Sequence, residues 1–212
     1  MSIIKSGASS DQWTIDPTSK AGRITLYDAA GNCLSPTENA RASVIVQVTQ
    51  AGTDAAGTII WGLKNASATL TIQVLRLSLQ LLFSGTGAAT LMAYEALKYT
   101  GVTSMTGGSI NTPAILKTSL SQGTAYESRF ASTGLTLTGG TAGGLIHMIT
   151  LGRLTPSATV QSSGPQHILD FSELGMGPLE LAQNEVLALR LTNTAVNGDA
   201  IIGSVLFIEK AN

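Results

Sequence analysis

The chain has 212 residues, of which only 12% are charged, and its net charge at pH 7 is −1. Soluble proteins usually carry roughly 25% charged residues, so this surface offers little electrostatic repulsion between copies. The balanced charge and the lack of a basic run argue against nucleic acid as a partner. Cys33 is the only cysteine, which excludes an internal disulfide and a cysteine-based metal cluster. We therefore expect a surface used in assembly, the alternative being that small polar residues alone keep the protein soluble.

The length favours one all-β sandwich or barrel rather than two small domains. The first residues lack the apolar stretch of a signal peptide, and no window of 18 apolar residues occurs. We expect synthesis in a host cytoplasm without export through Sec, and no membrane partner.

Residues 1–40 are poor in apolar residues, and one clear strand is predicted at 23–27, RITLY. Upstream of it, Asp16-Pro17 restricts the backbone to an extended or turn conformation, which disfavours a regular core element around Trp13 and Ile15. We interpret this segment as an extended arm, and exposed aromatic residues are enriched at interfaces. The residues predicted to contact a partner are Trp13, Ile15, Asp16, Pro17, Arg23 and Tyr27.

Residues 69–83, TLTIQVLRLSLQLLF, are predicted to form the central strand of the domain that follows. Apolar and polar residues alternate as far as Val74, and from Leu75 onward the apolar set moves by one residue. Such a shift requires a β-bulge near these two residues, or a strand that passes from one sheet to another. The alternative is a helix, because four of the apolar residues also recur at helical spacing. The content of Thr, Val, Ile and Ser favours a strand.

Further strands are predicted at 44–48, 58–63, 135–138, 145–151, 168–171, 179–181, 186–191 and 201–208. Residues 91–99 are ambiguous between helix and strand. Residues 101–123 are predicted to be a long connection that is functional or disordered, and in a coat-type protein such a loop usually lies at a subunit contact. The strand at 145–151 has apolar residues at both parities, which predicts cover on both faces.

Turns are predicted between the last strands, at Gln183-Asn184 and at 197–199. Strands that follow one another without helices exclude a doubly wound α/β fold. The expected fold is all-β: a jelly-roll-like two-sheet β-sandwich over residues 41–212, preceded by the extended N-terminal arm of residues 1–40.

No catalytic motif stands out. His147 and His167 are the only histidines, and His147 is predicted to be a hydrogen-bonded, partly buried residue rather than a metal ligand. Asp170 and Glu173 are three residues apart and fit either a calcium site or a solvated turn, of which we favour the turn. A pair of glycosidase carboxylates stays open as an alternative without a supporting motif. We expect no enzymatic activity, no metal and no cofactor.

Two parts of the chain resemble structural proteins of tailed bacteriophages. Residues 6–32, SGASSDQWTIDPTSKAGRITLYDAAGN, resemble the N-terminal arm of such proteins. Similarity to a group of phage virion proteins continues at 94–100 (YEALKYT), at Gly107-Gly108 and Thr112-Pro113, and at 132–138 (STGLTLT). Where relatives often have Pro-Gly-Glu before the penultimate strand, this chain has Gln183-Asn184-Glu185.

The resemblance implies a strand at 94–99 and a virion protein on the capsid surface. The implied function is that of a capsid decoration or cement protein, a jelly-roll homotrimer that binds and braces major capsid protein subunits on the phage head. The alternative is the jelly-roll head of a fibre or vertex appendage that binds a host receptor or glycan. In that case Trp61 and the loop 101–123 are the expected binding site.

Overall fold

The computed structural model describes residues 4–5, 12–15, 22–23, 42–49, 54–83, 91–112, 114–115, 126–152, 162–163, 166–171, 177–194 and 199–211. The chain divides into two compact units, Met1–Ala40 and Arg41–Asn212. Within the described ranges, no helix has the length and apolarity needed to cross a membrane.

The first unit contains a three-stranded antiparallel sheet of β1 (Ile4–Lys5), β2 (Gln12–Ile15) and β3 (Gly22–Arg23). Trp13 is opposite Ile4, and Thr14 is opposite Arg23. Trp13 and Ile15 thus belong to a short strand, and the prediction that they are not core residues of a regular element stays a prediction. Polar and apolar residues alternate along β2, as is typical of a strand. Pro17 favours extended backbone at the residue before it, so it does not oppose a strand that ends at Ile15. Of the strand predicted at 23–27, the part beyond Arg23 lies outside the described residues.

The described part of the second unit contains fourteen strands, all paired antiparallel. They are β4 (Ala42–Thr49), β5 (Ile59–Asn65), β6 (Leu70–Phe83), β7 (Leu91–Thr100), β8 (Ser104–Thr106), β9 (Ser109–Ile110), β10 (Ala114–Ile115), β11 (Tyr126–Thr138), β12 (Thr141–Gly152), β13 (Ser162–Ser163), β14 (His167–Asp170), β15 (Leu179–Leu181), β16 (Val186–Leu191) and β17 (Ala200–Ala211).

These strands form two seven-stranded sheets. Sheet I has the order β10-β4-β17-β6, and β13, β14 and β15 follow one another along the free side of β6. Sheet II has the order β12-β7-β16-β5-β11-β8, with β9 also paired to β11. The two sheets pack together, which confirms the predicted all-β sandwich. Its jelly-roll connectivity stays a prediction.

The bulge predicted in the central strand is confirmed. In β17, Leu206 is opposite Arg76 and the next residue, Phe207, is opposite Val74, so Leu75 has no residue facing it. The backbone carbonyl of Leu75 instead accepts a hydrogen bond of 3.0 Å from the N–H of Phe171. Buried residues of β6 change parity at this point, and they are Ile72, Val74, Leu77, Leu79 and Leu81.

The main core fills the space between the sheets. Sheet I contributes the buried residues of β6 with those of β4 and β17, and sheet II contributes residues of β5, β7, β12 and β16. Trp61 lies in this core and is fully buried, as are Leu187, Leu189 and Leu191 of β16. Alternate residues of one strand thus face the opposite sheet, as the two-residue period of a strand requires.

A smaller apolar cluster covers part of the outer face of sheet II. It contains Val186 and Ala188, which alternate with the core residues of β16, together with Val102 and Met105 from the segment around β8. A Cβ atom on Gly62 would lie 2.7 Å from the Met105 sulfur, so the glycine makes room for this cover. The connection predicted at 101–123 is thus no open loop as far as Ile115, and Pro113 and residues 116–125 lie outside the described part.

Asn65 joins the two sheets at the end of β5. Its side chain is fully buried, and its Nδ2 atom donates hydrogen bonds of 2.8 Å to the carbonyls of Leu70 and Leu181 in sheet I. The Oδ1 atom accepts a 2.9 Å bond from the N–H of Ser67. The Gln183-Asn184 turn lies beside it, with Asn184 at a φ of 62°. No sequence pattern indicated this role for Asn65.

Candidate interaction surface

β12 forms a long edge of sheet II. It has 12 residues, TAGGLIHMITLG, and within the described ranges its only strand neighbour is β7. The strand contains neither a charged residue nor a proline. These are the two sequence features with which proteins commonly keep an exposed edge from pairing with another chain. Within the described residues, β12 therefore presents an edge of backbone donors and acceptors that no second strand pairs with, and two register shifts interrupt this edge.

Two large apolar side chains on β12 are exposed to solvent. Leu145 is 52% exposed and Met148 is 43% exposed, so the prediction that this strand is covered on both faces is wrong. Their partners in β7, Leu97 and Glu95, are two residues apart, because Ile146 is an extra residue in β12. The bulge therefore places Leu145 and Met148 side by side on one face of the sheet.

A second apolar patch lies near the opposite edge of sheet II. Ile110 of β9 is 65% exposed, and Ile45 of β4 is 58% exposed. The Asn111 side chain donates a hydrogen bond to the Ile45 carbonyl, which connects the two segments. β9 pairs with β11, which is separated from β12 by the other strands of sheet II. Exposed apolar side chains thus occur near two separate edges of the sandwich.

The two histidines meet across the edge of the sandwich. His147 is in β12 of sheet II and His167 in β14 of sheet I, yet their ring centroids are 6.2 Å apart. The Nε2 atom of His147 is buried and has no hydrogen-bond partner in the part of the chain that the structure describes, so the prediction of a satisfied histidine is wrong for this atom. Burial, and secondarily the nearby His167, lowers the pKa of His147. The separation of twenty residues in sequence gave no sign of this proximity.

Charged side chains near β12 are paired with partners on neighbouring strands. Arg190 of β16 donates to Glu95 of β7 at 2.6 Å, and this hydrogen bond raises the pKa of the guanidinium. Lys98 of β7 forms an ion pair of 2.7 Å with Glu185. The charges beside β12 are thus balanced by their partners, and β12 itself contributes no charged residue.

The structure places the other candidate residues as follows. Trp61 is buried in the main core and therefore cannot serve as an exposed receptor contact. Asp170 ends β14, whereas Glu173 lies outside the described residues. In the part of the chain that the structure describes, no three His, Cys, Asp or Glu residues group as a metal site would require. A cleft of about 150 Å³ beside β9 and β11 is smaller than the roughly 300–1,000 Å³ of typical ligand pockets.

The predicted arm contacts fall on the small N-terminal sheet. Trp13 and Ile15 belong to β2, and Arg23 belongs to β3. Asp16, Pro17 and Tyr27 lie outside the described residues. The structure thus brings the backbones of Trp13, Ile15 and Arg23 into one sheet, and their role in partner contact stays a prediction.

Comparison with protein-family models, with curated proteins and with solved structures gives no match to this chain.

Proposed function

We propose that this protein is a structural component of a tailed-bacteriophage virion. In this proposal it decorates the capsid surface as a cement protein, and it binds and braces neighbouring subunits of the major capsid protein. The resemblance to phage virion proteins directs the proposal, and it rests on residues 6–32, 94–100, 107–108, 112–113 and 132–138. It also carries the expectation of a homotrimer.

One structural observation supports this function best: exposed apolar side chains occur near two separate edges of a rigid, weakly charged sandwich. Leu145 and Met148 lie at one edge, and Ile45 and Ile110 lie near the other. A protein that braces a lattice must contact more than one neighbour at the same time. Binding at two places strengthens attachment, because the second contact forms at high effective concentration.

The N-terminal unit supplies a further contact in this proposal. In this proposal a neighbour adds a strand to one of the outer strands of the small sheet, β1 or β3. Trp13 has the residue type most enriched at the centres of protein interfaces.

The test is co-sedimentation of the purified full chain with phage heads that lack it. We expect saturable binding in a fixed ratio to the major capsid protein. A truncated chain that begins at Arg41, the boundary between the compact units, is expected to unfold at the same temperature as the sandwich of the full chain. It is expected to bind phage heads more weakly than the full chain. Double substitution of Ile45 and Ile110 by Ser tests the sandwich patch in the same assay.

Absence of binding to heads would contradict the decoration function. Binding of the same protein to host cells would then favour the appendage alternative, with a receptor or glycan as ligand. Unchanged head binding after removal of residues 1–40 would contradict the arm contact while leaving the decoration function in place.

A further inference from the structure

We propose that the free edge of β12 is a self-association site, at which two copies of this chain pair their β12 strands antiparallel about a two-fold axis. The pairing joins two copies of sheet II into one continuous sheet. This inference stands on the geometry of β12 and does not depend on the virion function proposed above.

The length of β12 distinguishes it from the other edge strands of the sandwich. β12 has 12 residues, whereas the described strands that end either sheet elsewhere, β8, β9, β10, β13, β14 and β15, have two to four residues each. Short edges offer few hydrogen bonds to an added strand, but β12 offers more, although register shifts between Ala142 and Leu145 and between Leu145 and His147 interrupt its ladder.

The position of the exposed residues makes β12 complementary to itself. The midpoint of Thr141–Gly152 lies between Ile146 and His147. Antiparallel pairing centred on this midpoint places Leu145 of one copy opposite Met148 of the second copy, and a two-fold axis generates this contact twice. The apolar side chains that are 52% and 43% exposed in one copy would cover each other in the pair.

The absence of charge on β12 favours a second copy as the occupant. A two-fold contact brings identical surfaces together, so each charge near the axis would meet a like charge, which is destabilising. β12 carries no charged side chain, and Glu95 on the adjacent strand is already paired with Arg190. A neutral edge cannot select a foreign strand by charge complementarity. Its exposed apolar pair, Leu145 and Met148, is complementary to the same pair in a second copy.

The experiment measures the mass of the full chain by light scattering after gel filtration. We expect the wild-type particle to contain an even number of the 21.8 kDa chains, which is two, or six where the homotrimer expected from the resemblance forms through another surface and β12 joins two trimers. The double variant Leu145→Lys/Met148→Lys places like charges opposite each other in both contacts, and we expect it to halve the mass. Both side chains are exposed, so the variant is expected to retain the wild-type circular dichroism.

A charge-reversed variant tests the register as well as the surface. Leu145→Lys/Met148→Glu places a lysine of one copy opposite a glutamate of the second copy, so we expect it to keep the wild-type mass. Ile45→Lys and Ile110→Lys introduce the same charge at other exposed isoleucines and are expected to leave the mass unchanged.

Three results would overturn the inference. The first is a wild-type chain that is monomeric at the highest soluble concentration. The second is an unchanged mass for Leu145→Lys/Met148→Lys, which would assign any oligomer to another surface. The third is equal loss of mass in the like-charge and opposite-charge variants, which would exclude the pairing of Leu145 with Met148.

Discussion

β6 and β12 share a pattern and differ in environment. Both are long, of 14 and 12 residues, and both place apolar residues at both parities. β6 is paired along one side by β17 and along the other by three short strands, whereas β7 is the one strand that pairs with β12 within the described ranges. Leu79 of β6 belongs to the core between the sheets and is 1% exposed, whereas Met148 of β12 is 43% exposed.

The bulges of the two strands also serve different ends. In β6 the extra residue, Leu75, restores the inward phase, so that apolar residues on both sides of the bulge reach one core. In β12 the extra residue, Ile146, puts two apolar side chains together on the outside. A β-bulge thus completes the core in β6 and creates an exposed apolar pair in β12.

The largest effect is expected from shifting the phase of β6. Deletion of Gln80 forces either Leu81 out of the core or Arg76 into it, because a shift of one residue reverses the faces of a strand. We expect the loss of most of the about 5–15 kcal/mol that stabilises a typical domain. The free energy of unfolding in urea, or failure to fold as judged by circular dichroism, measures this effect.

Deletion of Leu75 is the matched control. Without this residue the strand alternates regularly, with Val74 and Leu77 still facing the core. The expected cost is about 1–2 kcal/mol, from the lost hydrogen bond to Phe171 and the partial burial of the Leu75 side chain. Similar losses for the two deletions would refute the role of Leu75 as the bulge that sets the phase.

The next effect compares single truncations in the two strands. Leu79→Ala opens a cavity between the sheets and is expected to cost about 2–5 kcal/mol. Met148→Ala removes an exposed side chain and is expected to change stability by no more than about 0.5 kcal/mol. Urea unfolding at one low protein concentration, where pairing between copies does not contribute, measures both. Equal costs would mean that Met148 is covered within its own chain.

Local patterns in the sequence predicted much of β6 and less of β12, for a physical reason. Alternation and its shift near Val74 depend only on β6 itself, and the structure confirms both. Whether a neighbour covers Met148 depends on the order of strands in sheet II, which alternation does not encode. The prediction of two covered faces failed because an edge strand and a central strand can carry the same apolar pattern.

The candidate surface was less predictable for the same reason. Proximity of His147 and His167 requires that β12 and β14, in different sheets, lie at the same edge of the sandwich. Burial of Trp61 follows from the central position of β5 in sheet II, where residues of both parities are buried, whereas its residue type had favoured an interface. The role of Asn65 depends on carbonyls far along the chain, including Leu181. These features arise from tertiary pairing rather than from local sequence.

The smallest predicted effect concerns pH at the edge where β12 meets β14. Because the folded chain lowers the pKa of His147 below its usual 6.5, the unfolded chain binds a proton at higher pH than the folded chain. The contribution of neutral His147 to the stability of the folded chain is therefore fully present above pH 6.5, and it is lost as the pH falls through the lowered pKa. The free energy of unfolding, measured from pH 8 to pH 5, should decrease across this window.

His147→Gln removes the titrating group and should flatten that decrease, while carboxylates that titrate at lower pH remain in both proteins. His167→Gln removes the smaller of the two causes of the lowered pKa of His147. Because burial of His147 is the larger cause, part of the pH dependence of stability should persist in this variant. Parallel stability curves for the wild type and His147→Gln would show that protonation of His147 is not coupled to unfolding. A flat curve for His167→Gln would instead assign the shift to the second histidine rather than to burial.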